Sequence, residues 1–244
     1  MRLKLSLVLV AALLACGGEP TSDAGALARQ LASSDAEQRK TAADGLATMG
    51  PAAEPALRAL NQTILDPDAQ VRIAALRALA AIGAPGRRGL AIGLNDAEPE
   101  VRTAAARGLT ALGPAATGSS ASLISVLSDD STEVAEAARA ALVAIGPDAT
   151  EALLRVVVVG PASARPHAAV ALIAIGEPAL DGLITAVASP SPQARKTALA
   201  ALATITETID APPTLAPALL KTFDDADPEV AAAARKLHTR IVGS

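Results

Sequence analysis

Aromatic side chains are almost absent from this chain of 244 residues, which has one phenylalanine and no tyrosine or tryptophan. Its core must therefore be built from alanine, leucine, valine and isoleucine, and small side chains allow helices to pack closely. Proteins that bind single-stranded nucleic acid combine aromatic stacking with positive charge. This chain offers neither, because its formal net charge is −4. We therefore expect no nucleic-acid partner.

Cysteine and histidine are also scarce, which limits cross-linking and catalysis. Cys16 is the only cysteine, so neither an intramolecular disulfide nor a cysteine-based metal site can be assembled. The two histidines, His167 and His238, lie far apart in the sequence, and we expect His167 to be a half-buried polar substitution. Phosphate-binding loops, nucleophile motifs and paired metal ligands do not occur. The sequence thus predicts a protein that is not an enzyme and uses no cofactor or metal.

What the chain does contain is a helical motif that recurs along its length. Residues 66–83 read DPDAQVRIAALRALAAIG, where Asp66 or Asp68 can cap the start of a helix and Gly83 can end it. The apolar residues between them return at steps of three and four, as on one face of an α-helix. Similar segments follow every 30 to 36 residues, and they align at Arg39, Arg72, Arg102, Ala135, Arg165, Arg195 and Ala231. A period of this size indicates stacked helical pairs.

This motif resembles the HEAT repeat, in the short bacterial form related to phycobilisome-lyase-type repeats. The resemblance rests on Asp66, on the Val71-Arg72 pair, on the alanines that follow and on the closing Ile82-Gly83, and it covers about residues 22–242. It implies an all-α fold, a right-handed α-solenoid of about seven HEAT-type helix pairs, which we expect over residues 23–242. HEAT proteins that act as di-iron hydroxylases carry repeated His-Glu pairs, and this chain lacks them.

Each repeat is expected to contain a first helix, a turn, and a second helix that carries the Val-Arg motif. The first helices are predicted at about residues 23–32, 53–64, 85–94, 119–127, 148–158, 177–187 and 213–222. The second helices are predicted at about residues 36–49, 69–82, 99–112, 132–145, 165–175, 192–205 and 228–241. Proline lies next to many of these starts, where a helix tolerates it. Two segments break the period and are candidate bends, residues 156–161 and 207–213.

The resemblance also implies a ladder of ion pairs that ties the repeats together. Its clearest acidic and basic positions are Asp66, Arg72, Asp96 and Arg102. Each arginine could pair within its own repeat or with a neighbouring one. The ladder is expected to fail where one partner is replaced, which happens at Ala135, Val159, Ser189 and Ala231.

The first residues predict export and lipid attachment. Arg2 and Lys4 precede an apolar run over residues 5–14, which is too short to span a membrane as a mature helix and is typical of a signal peptide. The run ends in LLACG, which resembles the bacterial lipobox. This implies a signal peptide over residues 1–15, a lipid on Cys16 and a short tether over residues 16–22. The alternative is an ordinary cleaved signal peptide in which Cys16 is incidental.

The lipobox resemblance also implies a location. A three-chain lipid anchor on Cys16 would hold the protein stably on a membrane. Gly17 rather than aspartate after the cysteine favours the outer membrane of a bacterial cell envelope, with the protein facing the periplasm or exported. A tether of a few residues would keep the solenoid close to the membrane.

The remaining candidate site is the surface of the second helices, which line the concave side of HEAT solenoids. Arg77 and Arg107 occupy the same position in adjacent repeats, and Arg139 and Lys196 lie on the same predicted side further along. These residues predict a basic strip that binds a carboxylate-bearing partner or another anionic ligand. The alternative is a solvated helix face. Arginine is a frequent anchor of protein interfaces, and here aromatic anchors are lacking.

Together these features predict a non-enzymatic protein-binding or scaffold lipoprotein of the cell envelope, with its partner on the concave surface. Two alternatives stay open. One is an accessory enzyme or lyase-like protein that binds a small ligand in the groove. The other is a structural spacer of the envelope without a dedicated partner.

Overall fold

A computed structural model describes residues 23–243, and all regular secondary structure in this range is helical. The helices form seven pairs, each with a short first helix and a longer second helix. The first helices are α1 (Ala24–Gln30), α3 (Leu57–Thr63), α5 (Arg87–Gly93), α7 (Ser120–Ser125), α9 (Thr150–Val159), α11 (Leu180–Ala186) and α13 (Leu215–Leu220). The second helices are α2 (Ala36–Met49), α4 (Ala69–Ile82), α6 (Pro99–Leu112), α8 (Thr132–Ile145), α10 (Arg165–Ile175), α12 (Pro192–Ile205) and α14 (Pro228–Val242). The predicted signal peptide, Cys16 and the tether lie outside the described residues.

The second helices begin and end where the sequence predicts, because both ends are encoded locally. At the start of α4, the carboxylate of Asp68 accepts hydrogen bonds from the amides of Gln70 and Val71, at 2.7 and 3.3 Å. At its end, Gly83 adopts φ +95°, a backbone conformation that L side chains rarely adopt. The same glycine stop closes the second helices of the first five repeats.

The sixth repeat shows what happens without this glycine. The residue that follows α12 is Thr206, with φ −76°, and the connection to α13 is longer, as the break predicted over residues 207–213 requires.

The first helices are shorter than predicted because most of them open with a 3₁₀ turn. These turns cover residues 50–56, 84–86, 113–119, 146–149 and 177–179, and each has proline in one of its first two positions. Proline is tolerated there because its missing N–H would have no partner in a first helical turn, and it does not by itself impose the tighter turn, since α6, α12 and α14 also begin with proline. The predicted starts at residues 53, 85, 119, 148 and 177 therefore fall within these turns or at their edges.

One continuous core runs from Ala24 in α1 to Leu237 in α14. Leucine and alanine supply most of it, and Leu46, Leu79, Leu109 and Leu142 are fully buried at equivalent positions of consecutive second helices. The second helices of neighbouring repeats also pack against one another more extensively than the first helices do. Each repeat is therefore stabilised mainly by its two neighbours, as in other solenoids.

The fifth repeat departs from this plan. Helix α9 continues to Val159, and the connection over residues 160–164 leads into α10, which has 11 residues instead of the usual 14. Pro166 occupies the first turn of α10. The hydroxyl of Ser163 in this connection donates a hydrogen bond to that of Ser128, at 3.0 Å, which links the fourth and fifth repeats.

None of the helices between residues 23 and 243 is long and apolar enough to cross a membrane.

Candidate binding surface

Four ion pairs connect the repeats along the edge where first helices lead into second helices. In each pair an arginine at the start of a second helix binds the aspartate of the following repeat, at 2.6 to 2.8 Å. We call these pairs rungs, and they are Arg39–Asp66, Arg72–Asp96, Arg102–Asp129 and Arg195–Asp225. Both side chains of each rung are at most 16% exposed. The sequence left two pairings open, and the structure places the partner in the next repeat.

The rung between Arg102 and Asp129 shows how the arrangement works. The Nε and Nη2 groups of Arg102 donate hydrogen bonds to the two carboxylate oxygens of Asp129, at 2.8 and 2.7 Å. Its Nη1 group donates to the carbonyls of residues 96 and 97 in its own repeat, both at 2.9 Å. The guanidinium group of Arg102 holds the pKa of Asp129 below its ordinary value, chiefly through this hydrogen bonding. One arginine thus joins two consecutive loops.

Two consecutive junctions in the middle of the chain lack a rung. Between the fourth and fifth repeats both partners are replaced, by Ala135 and Val159. Between the fifth and sixth repeats only the aspartate is replaced, since Arg165 is retained and Ser189 stands opposite it. These are the replacements at which the sequence predicts the ladder to fail.

The predicted arginine strip lies at an open groove between α4 and α6. This groove has a volume of about 420 Å³, and both Arg77 and Arg107 line it from exposed positions. Two glutamates, Glu100 and Glu133, line it as well. Arg107 donates a hydrogen bond to the carboxylate of Glu133 at 2.8 Å, whereas Arg77 has no ion pair or hydrogen bond with residues 23–243. The groove therefore carries both signs of charge.

The other two predicted binding residues lie elsewhere. Arg139 is half-buried on α8, at the position that the buried residues Leu76 and Ala106 occupy in earlier repeats, and it does not line this groove. Lys196 lies four repeats beyond Arg77, in a second groove of about 850 Å³ between α12 and α14. Its ammonium group bonds Glu229 at 2.8 Å and Asp227 at 3.2 Å, and these hydrogen bonds raise its pKa. The structure brings only Arg77 and Arg107 together.

An apolar surface that leads into the second groove was not singled out from the sequence. Three consecutive second helices present only apolar side chains at the positions that Arg77 and Ala80 occupy in α4. We call this surface the apolar strip, and it consists of Ala140, Val143, Val170, Ile173, Ala200 and Ala203. Three of its members are exposed, and Val170 is 46% exposed. Neighbouring helices α8, α10 and α12 pack directly together, so the residues of the strip lie on adjacent helices.

The sequence did contain a signal for this strip. Ala140, Val170 and Ala200 align with Arg77 and Arg107, so the same register that placed the arginines also predicts their exposure. An apolar residue at a position that is charged in neighbouring repeats indicates exposed apolar surface.

The histidines occupy separate positions. His167 is half-buried at the start of α10. His238 packs edge-on against Phe223 near the end of the solenoid, with ring centroids 5.2 Å apart. In the described part of the chain, no cluster of histidine, cysteine, aspartate and glutamate could hold a metal ion.

Comparison with known proteins identifies the fold. No family model and no curated protein sequence matches the chain. The complex of CpcE and CpcF of phycocyanin lyase from Nostoc sp. PCC7120 is similar in structure, with a TM-score of 0.51 and 23% identity over 93% of this chain and 97% of that one.

Two larger proteins are similar over part of their length. A Kap121p mutant matches with a TM-score of 0.60 and 14% identity over 89% of this chain and 29% of that one. Kap95p, whose binding induces the switch loops of RanGDP to adopt the GTP-bound conformation, matches with a TM-score of 0.54 and 15% identity over 96% of this chain and 36% of that one. The seven helix pairs and these similarities agree, and the chain has the fold of a HEAT-like α-solenoid.

Proposed function

We propose that this protein is a non-enzymatic scaffold that binds another protein on the face formed by its second helices. The observation that carries the proposal is the apolar strip, which exposes side chains such as Val170 across three consecutive repeats. Contiguous exposed apolar surface on a soluble domain commonly marks a site of interaction. Burying this surface against a partner would supply the main driving force for binding.

Charged groups on both sides of the strip would orient the partner. Arg77 lies on one side and Lys236 on the other, and both are exposed without an ion pair or hydrogen bond to the described residues. Such groups at the rim of an interface contribute to specificity and to the rate of association more than to affinity. This arrangement makes Arg77 part of the rim of the binding surface rather than its centre.

The proposal includes attachment to a bacterial cell envelope through a lipid on Cys16. It rests on the signal-like first residues and on the LLACG sequence at residues 13–17. The short tether would hold the binding face near the membrane, so the partner is expected to be a membrane protein or an exported protein.

A small ligand is the second candidate occupant of this face. The groove between α12 and α14 has a volume of about 850 Å³, within the range of small-molecule sites, and leucine and alanine line part of it. The CpcE–CpcF complex of phycocyanin lyase has a similar fold. For this alternative we therefore consider an accessory role in a lyase.

Two matched variants test whether the apolar strip is the binding surface. Val170 and Ile92 are equally exposed, at 46%. Val170 lies in the apolar strip on a second helix, α10, whereas Ile92 lies on a first helix, α5. We expect Val170→Glu to weaken capture of the partner by about tenfold or more, because binding would bury an unpaired carboxylate. Ile92→Glu should leave capture unchanged.

The measurement is quantitative cross-linking and recovery of the lipidated protein from its native membrane, with thermal melting to show that both variants fold. Equal recovery with both variants would refute the strip as the binding surface. Stoichiometric recovery of a small molecule or pigment, with no protein partner, would favour the second candidate.

A further inference from the structure

Arg165 differs from the four rung arginines because its side chain has no hydrogen-bond or ion-pair partner among residues 23–243. It occupies the position at which Arg39, Arg72, Arg102 and Arg195 each bind an aspartate of the next repeat. Here the next repeat offers Ser189, whose hydroxyl accepts a hydrogen bond from the amide of Ser191 at 3.3 Å. Across residues 23–243, the side chain of Arg165 takes part in no hydrogen bond or ion pair.

The burial of the Nε atom of Arg165 makes the lack of a partner unusual. The Nε group of Arg165 is buried and unpaired, whereas its Nη groups are not enclosed. Buried polar groups nearly always have a hydrogen-bond partner, and an exception calls for a ligand, a water molecule or another explanation. The Nε group of Arg195 is also unpaired, but the Nη2 group of that residue binds Asp225 at 2.6 Å. Only Arg165 lacks a carboxylate altogether among these five arginines.

The surroundings of Arg165 leave an approach from solvent. The connection before it is exposed at Pro161, Ala162 and Ser163, and Pro190 is exposed next to Ser189. A carboxylate from outside the chain could therefore reach the side of the guanidinium group that faces solvent. Serine is smaller than aspartate, so the replacement at position 189 also removes the group that would otherwise occupy this place.

We propose that Arg165 binds a carboxylate from another molecule through its Nη groups, in the way that Arg195 binds Asp225. The Arg195 rung provides the template, in which Nη2 donates to a carboxylate oxygen at 2.6 Å while Nε stays buried and unpaired. The carboxylate can be an acidic residue of a bound polypeptide or a small organic acid, since both present the same pair of oxygens. This site lies on the edge formed by the ladder and is separate from the apolar strip, so it goes beyond the scaffold function proposed above.

The test compares thermal unfolding in sodium acetate and in sodium chloride at equal ionic strength and pH. Acetate at about five times its dissociation constant should raise the Tm of the purified protein by about 2–4 °C. In Ser189→Asp the new side chain completes the rung, so the acetate effect should disappear. Asp129→Ser is the matched control, because it removes the carboxylate that Arg102 binds. Acetate should raise the Tm of this variant more than that of the unmodified protein, since two arginines then lack a carboxylate.

A direct reading of the arginine complements the melting data. Titration with acetate should shift the Nε–H resonance of Arg165 in a ¹H–¹⁵N spectrum, and loss of that resonance in Arg165→Lys assigns it. A second titration with the amide of N-acetyl-aspartate distinguishes a polypeptide side chain from a small acid, since a response to acetate alone indicates the small acid. Equal acetate effects in the protein and in Ser189→Asp, or an unmoved resonance, would overturn the proposal.

Discussion

At the scale of single residues, burial separates two kinds of ion pair in this protein. The Arg102–Asp129 rung is 16% and 9% exposed, whereas the Arg107–Glu133 pair is 68% and 63% exposed, although the contact distances are 2.7 and 2.8 Å. Breaking a desolvated pair leaves an uncompensated charge, and breaking an exposed pair returns two groups to water. Judged by distance alone, the two pairs would contribute equally to stability. Their difference in burial indicates that the rung contributes far more.

We expect Arg102→Ala to lower the free energy of unfolding by about 2–4 kcal/mol, because it strands Asp129 and two loop carbonyls. Arg107→Ala is the matched control on the same helix and should cost less than about 1 kcal/mol. Urea denaturation at neutral pH measures both values. Similar costs for the two variants would contradict the role assigned to the rung.

The same variant should also change the response to acid. Arg102 keeps the pKa of Asp129 below its ordinary value of 3.8, so the pair stabilises the protein fully above that value and less as the pH falls through it. The difference in stability between the protein and Arg102→Ala should therefore shrink below about pH 4. A difference that stayed constant down to pH 2 would show that the carboxylate does not titrate against this arginine.

At the scale of helices, the sequence predicted the second helices better than the first. Four of the seven begin with an aspartate or serine whose side chain caps the helix, the first five end at a glycine with positive φ, and these signals are local. Five of the first helices begin with 3₁₀ turns that pack against the previous repeat, and this packing is not local in the sequence, so their predicted starts were too early. The apolar strip was not predicted because alanine and valine are equally common in a buried helix face, and only their alignment with Arg77 and Arg107 indicates that these positions are exposed.

The closing glycines also give a prediction at this scale. Gly146 has φ +77°, and a Cβ atom placed there would meet no neighbouring atom within 4 Å. Gly146→Ala should nevertheless cost about 1–3 kcal/mol, because the backbone conformation itself is unfavourable for an L side chain. Gly25→Ala provides the control, since that residue lies in α1 without a positive φ and its Cβ would make only ordinary contacts.

Thermal or urea unfolding of the two glycine variants decides the question. If Gly146→Ala were as stable as the unmodified protein, the stop signal would reside in the following proline rather than in the glycine. A large cost for Gly25→Ala would instead indicate that α1 tolerates no added volume.

At the scale of the whole molecule, the fifth repeat separates two parts that are tied by rungs. Repeats one to four share three rungs, and repeats six and seven share one. The two junctions of the fifth repeat have none, and its second helix α10 is the shortest of the seven. In a solenoid each junction contributes separately to stability, so local opening should concentrate where the junctions are weakest.

Hydrogen exchange measured by mass spectrometry should therefore show faster exchange in α9 and α10 than in α4 and α6. Ser189→Asp should slow exchange in α10 if it completes the rung with Arg165, while α4 serves as the internal reference. Uniform protection along the chain would contradict this distribution of stability.

The apolar strip crosses both rungless junctions, from α8 through α10 to α12, so a partner bound there would tie together the repeats that the chain itself connects least. Binding should for that reason protect α10 more than α4.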